Sequence, residues 1–281
     1  MTSVASHYIR CINTLSKEEY KNRLIKLIRP FTGGKQDENI STYFEENYDQ
    51  LAQKITIFFE ADYRQEEQFE PINFELYLVM LVPLQINYKE RNLPLEVYEA
   101  TLSDLKWRLN TYSENEGRPG LTAEDKMWLA RIYHLKIFKL GSLQDKYLDD
   151  LLSVHIMYGE DISRQASINS LLQALTFFEE HFPRFNYDYF YCKSWILYPG
   201  NREFLGEKSK IIRFMKLFNI VYQEQDVKIP YKYIFYKEPD QVKESDISTS
   251  LQRFSFKHPE ALGIGTGLIE KERVIKYSEK E

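Results

Sequence analysis

Residues 190–199, FYCKSWILYP, bring a thiol, a hydroxyl and an indole together in a stretch that alternates like a strand and stops at a proline. Alternation puts Phe190, Cys192, Ser194 and Ile196 on one face and Tyr191, Lys193, Trp195 and Leu197 on the other. Cys192 has the chemistry of a nucleophile or of a group lining a site, and equally that of a small buried hydrophobe. Ser194 can hydrogen-bond a substrate carbonyl or donate a proton, or it can bond to nearby backbone. Trp195 reads as packing. His155, in the strand-like VHIMYG at 154–159, suits the task of taking a proton from an attacking group, or it is a satisfied structural histidine. Cys192 and His155 on adjacent strands would make a thiol–imidazole pair for covalent chemistry. His181 and His258 fall at expected helix ends, where a cation meets the dipole. His7 and His134 carry no signal of their own.

Several classes of function are set aside. No metal is expected, since no Cys/His cluster is read as having ligand spacing and Asp149-Asp150 reads as a turn. There is no P-loop, nucleophile elbow or dinucleotide fingerprint. The net charge of -5 argues against nucleic acid as a partner, because phosphate binding needs a basic face. Two cysteines make a disulfide framework improbable and fit a reducing compartment. The first twenty residues hold no apolar run of the kind a signal peptide has. The longest apolar run, LYLVMLVPL at 76–84, is too short to span a bilayer and contains Pro83. The expectation is a cytoplasmic protein without a membrane partner. Aromatic residues reach 15%, which means core packing or an aromatic-lined pocket.

The elements that must position these groups fall into two regions. Over 1–120 the pattern is helical. A capping box at Ser16 and Glu19 opens a helix that Pro30 and Gly33-Gly34 end. Helices follow at 41–60, at 72–91 with a kink at Pro83, and from Pro94 to about residue 112. The polar stretch 113–120, SENEGRPG, reads as the linker. Over 121–281 a helix capped at Thr122 runs to His134, and the stretch 136–159 reads as two or three antiparallel strands. A helix at 170–182, the 190–199 strand, a helix at 209–221, a strand at 231–237, a capped helix from Thr249 and a glycine-rich strand at 262–269 complete the chain. The fold class is α+β or α/β, a helical region followed by a mixed sheet with flanking helices. Lys210 and Arg213, on the 209–221 helix, can face either solvent or a cofactor, and read first as a solvated face.

Ordered stretches carry a resemblance: LPLEVYEATLSDLKWRL at 93–109, FKLGSLQ at 138–144, VHIMYG, SLLQALTFFEEHFP at 170–183, CKSWILYP at 192–199, SKIIRFMKLFNIV at 209–221, and TSLQRF with GIGTGLI. Together they resemble a two-domain bacterial acyltransferase family. In it a helical N-acyltransferase-type N-terminal domain precedes a GNAT-like (Gcn5-related N-acetyltransferase-like) C-terminal domain. The family pattern places an arginine where Ser142 stands and a second glycine near residues 158–160, and this chain departs from both.

The resemblance implies domains at 1–120 and 121–281 and transfer of an acyl group from acyl-CoA, or a related thioester, to an amine. The partners are then a small acyl donor and an amine acceptor. VHIMYG would be the first strand of the site and FYCKSWILYP its splayed neighbour, with the thioester in the gap. Backbone N–H groups at the helix start would hold the pyrophosphate, with Gly159, Ser167 and Ser170 as the loop candidates. The plain alternative for these three is a turn with Ser167 as helix cap. His155 would be the base, and Ser194 and Cys192 would line the acyl site. Two other readings stay open: a non-catalytic member that binds a small ligand or a protein, and a Cys192-dependent acyl enzyme.

Overall fold

The computed structural model describes residues 3–60, 73–148, 150–157 and 159–278. Two compact units divide the chain after Lys139, later than the linker read at 113–120. Asp149 of the expected Asp149-Asp150 turn and Tyr158 lie outside the described residues.

The first unit is helical. Its helices are α1 (Ser3–Asn13), α2 (Lys17–Thr32), α3 (Asp37–Asn47), α4 (Leu51–Glu60), α5 (Phe74–Val79), α6 (Leu81–Glu90), α7 (Leu95–Thr101), α8 (Leu105–Glu116) and α9 (Ala123–Tyr133). Both capping boxes read from the sequence form. Ser16 accepts from the Glu19 N–H and Thr122 from the Asp125 N–H, and each acid returns to its cap backbone. Pro30 does not stop α2, because a proline near a helix end forfeits only one backbone bond. The stop is Gly33, whose left-handed φ of 62° lets its N–H reach the Arg29 carbonyl. The break near Pro83 falls at Met80, so the proline sits in the first turn of α6, where its missing N–H costs nothing. The expected linker is partly helix: α8 runs through Glu116 and ends at Gly117, φ 66°.

The aromatic excess is core. Tyr8 lies 4.8 Å from Phe59, and Phe58 lies 5.3 Å from Tyr77, between ring centroids. Two of the buried hydroxyls find backbone carbonyls, Tyr8 on Tyr133 at 2.8 Å and Tyr20 on Val79 at 2.7 Å. This is how a tyrosine fills a core without stranding its polar end.

After the helices the chain forms a mixed sheet of six strands in the order β1-β2-β3-β4-β6-β5, the last five of them in the second unit. The strands are β1 (Ile137–Leu140), β2 (Leu143–Leu148), β3 (Leu151–Ile156), β4 (Tyr189–Ser194), β5 (Asn219–Gln225) and β6 (Gly263–Glu270). The helices of the second unit are α10 (Arg164–His181), α11 (Lys210–Met215), α12 (Lys228–Ile234), α13 (Ser250–Lys257) and α14 (Lys271–Ser278). β2 and β3 are antiparallel, β3 and β4 parallel, and β6 is antiparallel to both β4 and β5.

Two expectations are corrected here. The stretch read as a strand at 231–237 starts inside helix α12 and leaves it after Ile234: Tyr231 and Phe235 pack one turn apart with ring centroids at 4.8 Å, and Pro230 sits in the first turn. Residues 219–221, read as the end of a helix, open β5 instead. The glycines of β6 lie on an inner strand. A Cβ on Gly265 would stand 2.2 Å from the Leu197 carbonyl oxygen, and one on Gly267 would stand 2.7 Å from Phe218 Cβ. The chain's own neighbours make the close approach.

Asp145 in β2 is fully buried, and neither carboxylate oxygen has a hydrogen-bond partner among the described residues. Burial pushes its pKa well above the usual carboxylate value. The folded chain therefore holds a proton that the unfolded chain releases. Stability tied to this group is complete below the unfolded pKa and drains as pH rises, by up to about 1.4 kcal/mol per pH unit. Asp145→Asn removes that drain. The variant is expected to match the parent in thermal midpoint near pH 4 and to melt above it at neutral pH. A constant difference across that range would show that Asp145 is not the titrating group.

Candidate active site

β3 and β4 run side by side only briefly. Their pairing covers Leu151 to Ser153 against Tyr189 to Tyr191, yet both strands continue three residues further. Past Ser153 and Tyr191 they diverge. The gap is bounded by Val154, His155 and Ile156 on one side and by Cys192, Lys193 and Ser194 on the other. β4 gains its other partner from β6, through Ser194 opposite Gly265.

Alternation assigns the side chains around this gap. Leu152, Val154, Phe190 and Cys192 point into the core. His155 is exposed and shares its face with Ser153, whose hydroxyl lies 3.4 Å from its Nε2. Lys193 is on that outer face too, paired with Glu224 at 2.8 Å. His155 and Cys192 therefore face opposite sides of the sheet and form no catalytic couple. Cys192 is 1% exposed, and burial pushes its thiol up to about 12. A thiol held protonated in this way is a poor nucleophile, which removes the basis of the covalent reading. Ser194 accepts the Ile196 N–H at 3.2 Å and so shapes the turn that ends β4.

The loop after β3 leads to α10. Gly159 has φ 77°, a left-handed conformation, and a Cβ there would meet nothing within 4 Å. Ser163, not Ser167, caps α10 by accepting the Ala166 N–H. Ser167 is fully buried inside the helix. Ser170 belongs to a different contact. Its hydroxyl accepts the Ser142 N–H at 2.8 Å, donates to the Ala166 carbonyl at 2.9 Å, and would sit 2.5 Å from any Cβ on Gly141. The β1–β2 turn and α10 are locked through Ser170, so of the three loop candidates Gly159 alone is open.

The structure adds Asp161, which the sequence reading passed over, and gives it Lys210 as a partner. Asp161 accepts from the Ser163 N–H at 3.0 Å and from Lys210 Nζ at 2.9 Å. The Lys210 ammonium, with help from Ser163, holds the Asp161 carboxyl down at about 2. An internal carboxylate thus sits at the N-terminus of an eighteen-residue helix, where unpaired N–H groups attract anions. The Asp-x-Ser spacing before α10 was a readable signal for the cap. Lys210, 49 positions away, had none.

Two clefts of about 320 and 630 Å³ lie in the helical unit, and Gln36, Phe74, Arg118 and Pro119 line both. No candidate residue lines either cleft. No helix among the described residues is long and apolar enough to cross a membrane.

Residues 68–268 match the GNAT-like C-terminal domain family. Similar folds include an acyltransferase solved in complex with decanoyl-CoA and teicoplanin, at 20% identity and TM-score 0.65, covering 78% of this chain and 76% of that one. Another is an acyltransferase in complex with CoA and 10C-teicoplanin, at 19% identity and TM-score 0.67, covering 90% of this chain and 88% of that one. No curated protein matches the chain.

Proposed function

Because this chain belongs to the GNAT-like C-terminal domain family, we propose that it moves an acyl group from an acyl-CoA thioester directly to an amine. The divergence of β3 and β4 after Ser153 and Tyr191 carries this reading. It is the place where the sheet offers strand edges to an extended thioester. The amine nitrogen attacks the thioester carbonyl carbon, the C–S bond breaks, and the CoA thiolate leaves. The proton lost by the amine passes to His155 through water. Gly159 and the first N–H groups of α10 face the diphosphate, and Lys210 supplies a cation beside it. Ser194 sits at the end of the gap, and Cys192, buried on the other face, takes no part in the reaction. The similar acyltransferases solved with acyl-CoA support this choice of donor.

One observation favours a second reading, a non-catalytic binding module. Asp161 already occupies the N-terminus of α10, with Glu160 beside it in sequence. A diphosphate must either displace the Asp161–Lys210 pair or bind against a like charge.

Thermal unfolding in the presence of CoA, acetyl-CoA and longer acyl-CoAs separates the two. A ligand at 100 times its Kd adds about 2.7 kcal/mol of stability. A saturating rise that depends on acyl length is the expected result, and no rise with any of them leaves the binding module. Asp161→Asn sharpens the test. Removing one negative charge at contact range in solvent should tighten CoA binding by about fivefold. Unchanged affinity would place the diphosphate away from α10.

A further inference from the structure

A second cluster, within the helical unit, has no part in this chemistry. His7 and Cys11 lie one turn apart on the same face of α1, and Glu90 is the last residue of α6. His7 Nε2 is 3.3 Å from Glu90 Oε2 and 3.6 Å from Cys11 Sγ. All three donor atoms lie within 4.8 Å of one another. Arg10 closes the group, with Nη2 2.7 Å from Glu90 Oε2 and 3.0 Å from His7 Nδ1. A guanidinium can only donate, so Nδ1 accepts and Nε2 carries the hydrogen. That hydrogen faces both Glu90 and Cys11.

We propose that His7, Cys11 and Glu90 form a binding site for a thiophilic divalent cation of the Zn2+ class, clamping α1 to the end of α6. The spacing of the donors carries the proposal. With zinc–nitrogen and zinc–oxygen bonds of about 2.0–2.1 Å and a zinc–sulfur bond of about 2.3 Å, tetrahedral angles put nitrogen and oxygen about 3.4 Å apart and nitrogen and sulfur about 3.6 Å apart. The two separations in this chain are 3.3 and 3.6 Å. A thiolate with an imidazole and a single carboxylate selects Zn2+ over Mg2+ or Ca2+, which take all-oxygen shells. Three protein ligands leave the fourth position to water.

The protons balance simply. Cys11 releases its thiol proton to solvent, and the His7 proton moves from Nε2 to Nδ1 so that Nε2 can ligate. Arg10 then leaves Nδ1, which its surface position permits, as its side chain is 62% exposed. An Arg10–Glu90 ion pair pinning the two helices would need no sulfur.

The test uses the full chain, stripped with EDTA and titrated with Co2+ as a spectroscopic stand-in. One Co2+ per chain should bind, with the near-ultraviolet thiolate band and the visible bands of a tetrahedral ion. Equimolar Zn2+ should displace it and raise the thermal midpoint. Cys11→Ser should abolish the thiolate band. Glu90→Gln, at a 39% exposed side chain where refolding is not in question, should weaken binding by about tenfold or more. His258→Gln, on an exposed surface pair, should change nothing. No spectral change with excess Co2+, or a spectrum unaltered by Cys11→Ser and Glu90→Gln, would overturn the site and leave only the ion pair.

Discussion

Arg108→Ala is expected to destabilise the helical unit by about 3–5 kcal/mol, a range seen when one partner of a buried ion pair is removed. Arg108 Nε binds Asp104 at 2.9 Å, its Nη1 binds Asp125, and its guanidinium lies 4.2 Å over the Trp128 ring. Its side chain is 18% exposed, so solvent screens little of this. Burial raises the Asp104 pKa above the usual value even though Arg108 pulls it down. For Asp104 burial outweighs pairing, while for Arg108 the two carboxylates together outweigh burial and raise its pKa. Removing the arginine takes away the pull and keeps the burial. Asp125 is also the third-residue partner in the α9 capping box, accepting from the Thr122 hydroxyl at 2.7 Å, so a disturbed carboxylate there loosens the helix start. The deficit should shrink on acidification, as the stranded carboxylates take up protons. Adding Asp104→Asn to Arg108→Ala should recover part of it. Denaturant unfolding of the single and double variants measures both effects. An Arg108→Ala loss under about 1 kcal/mol would mark the cluster as an ordinary surface network.

Arg108 also shows what a sequence can and cannot disclose. Its bond to Asp104 spans one helical turn and is readable; its bond to Asp125 depends on how α8 meets α9. The same division runs through the fold. Caps were legible because they are local: Ser16 with Glu19, Thr122 with Asp125 and Thr249 with Gln252 all form. The β1–β2–β3 stretch was legible because apolar and β-branched clusters are set between turn signals at Gly141 and Asp149-Asp150. β5 was not, since its residues are mostly exposed and no apolar period marks them. The segment 231–237 misled because aromatic and β-branched residues favour strands, while Pro230 and the Tyr231–Phe235 contact go with a helix up to Ile234. The family and the acyltransferase-like fold were legible through ordered motifs.

The details of the site were less so. Ser170 resembled a loop residue by position, but its hydroxyl is spent on Ser142 and Ala166. His155 and Cys192 looked like a pair on neighbouring strands. Sequence alternation alone cannot say that their faces differ, because that depends on the register, which sets Ser153 against Tyr191. The His7–Cys11 turn was overlooked because its third member arrives from α6, far along the chain.

His155→Gln is expected to lower the rate of acyl transfer by about 10²–10⁴-fold while leaving acyl-CoA binding in place. His155 is an exposed imidazole at the mouth of the gap, on the strand that leads to Gly159 and α10. The attacking amine must lose a proton as the C–N bond forms, and Cys192 cannot receive it, being buried on the opposite face with its thiol raised to about 12. Glutamine keeps the size and a hydrogen-bonding end, so the β3 edge should keep its shape, but it takes no proton. The acid limb of the pH–rate profile should therefore vanish in the variant, whereas a merely structural histidine would lower activity without changing the profile. Cys192→Ala supplies the contrast: direct transfer predicts that it retains turnover and that alkylating agents leave the native chain active. Release of CoA thiol, followed over pH for the parent and both variants, reads all three. If Cys192→Ala abolishes turnover while His155→Gln does not, the base is elsewhere and the covalent route returns.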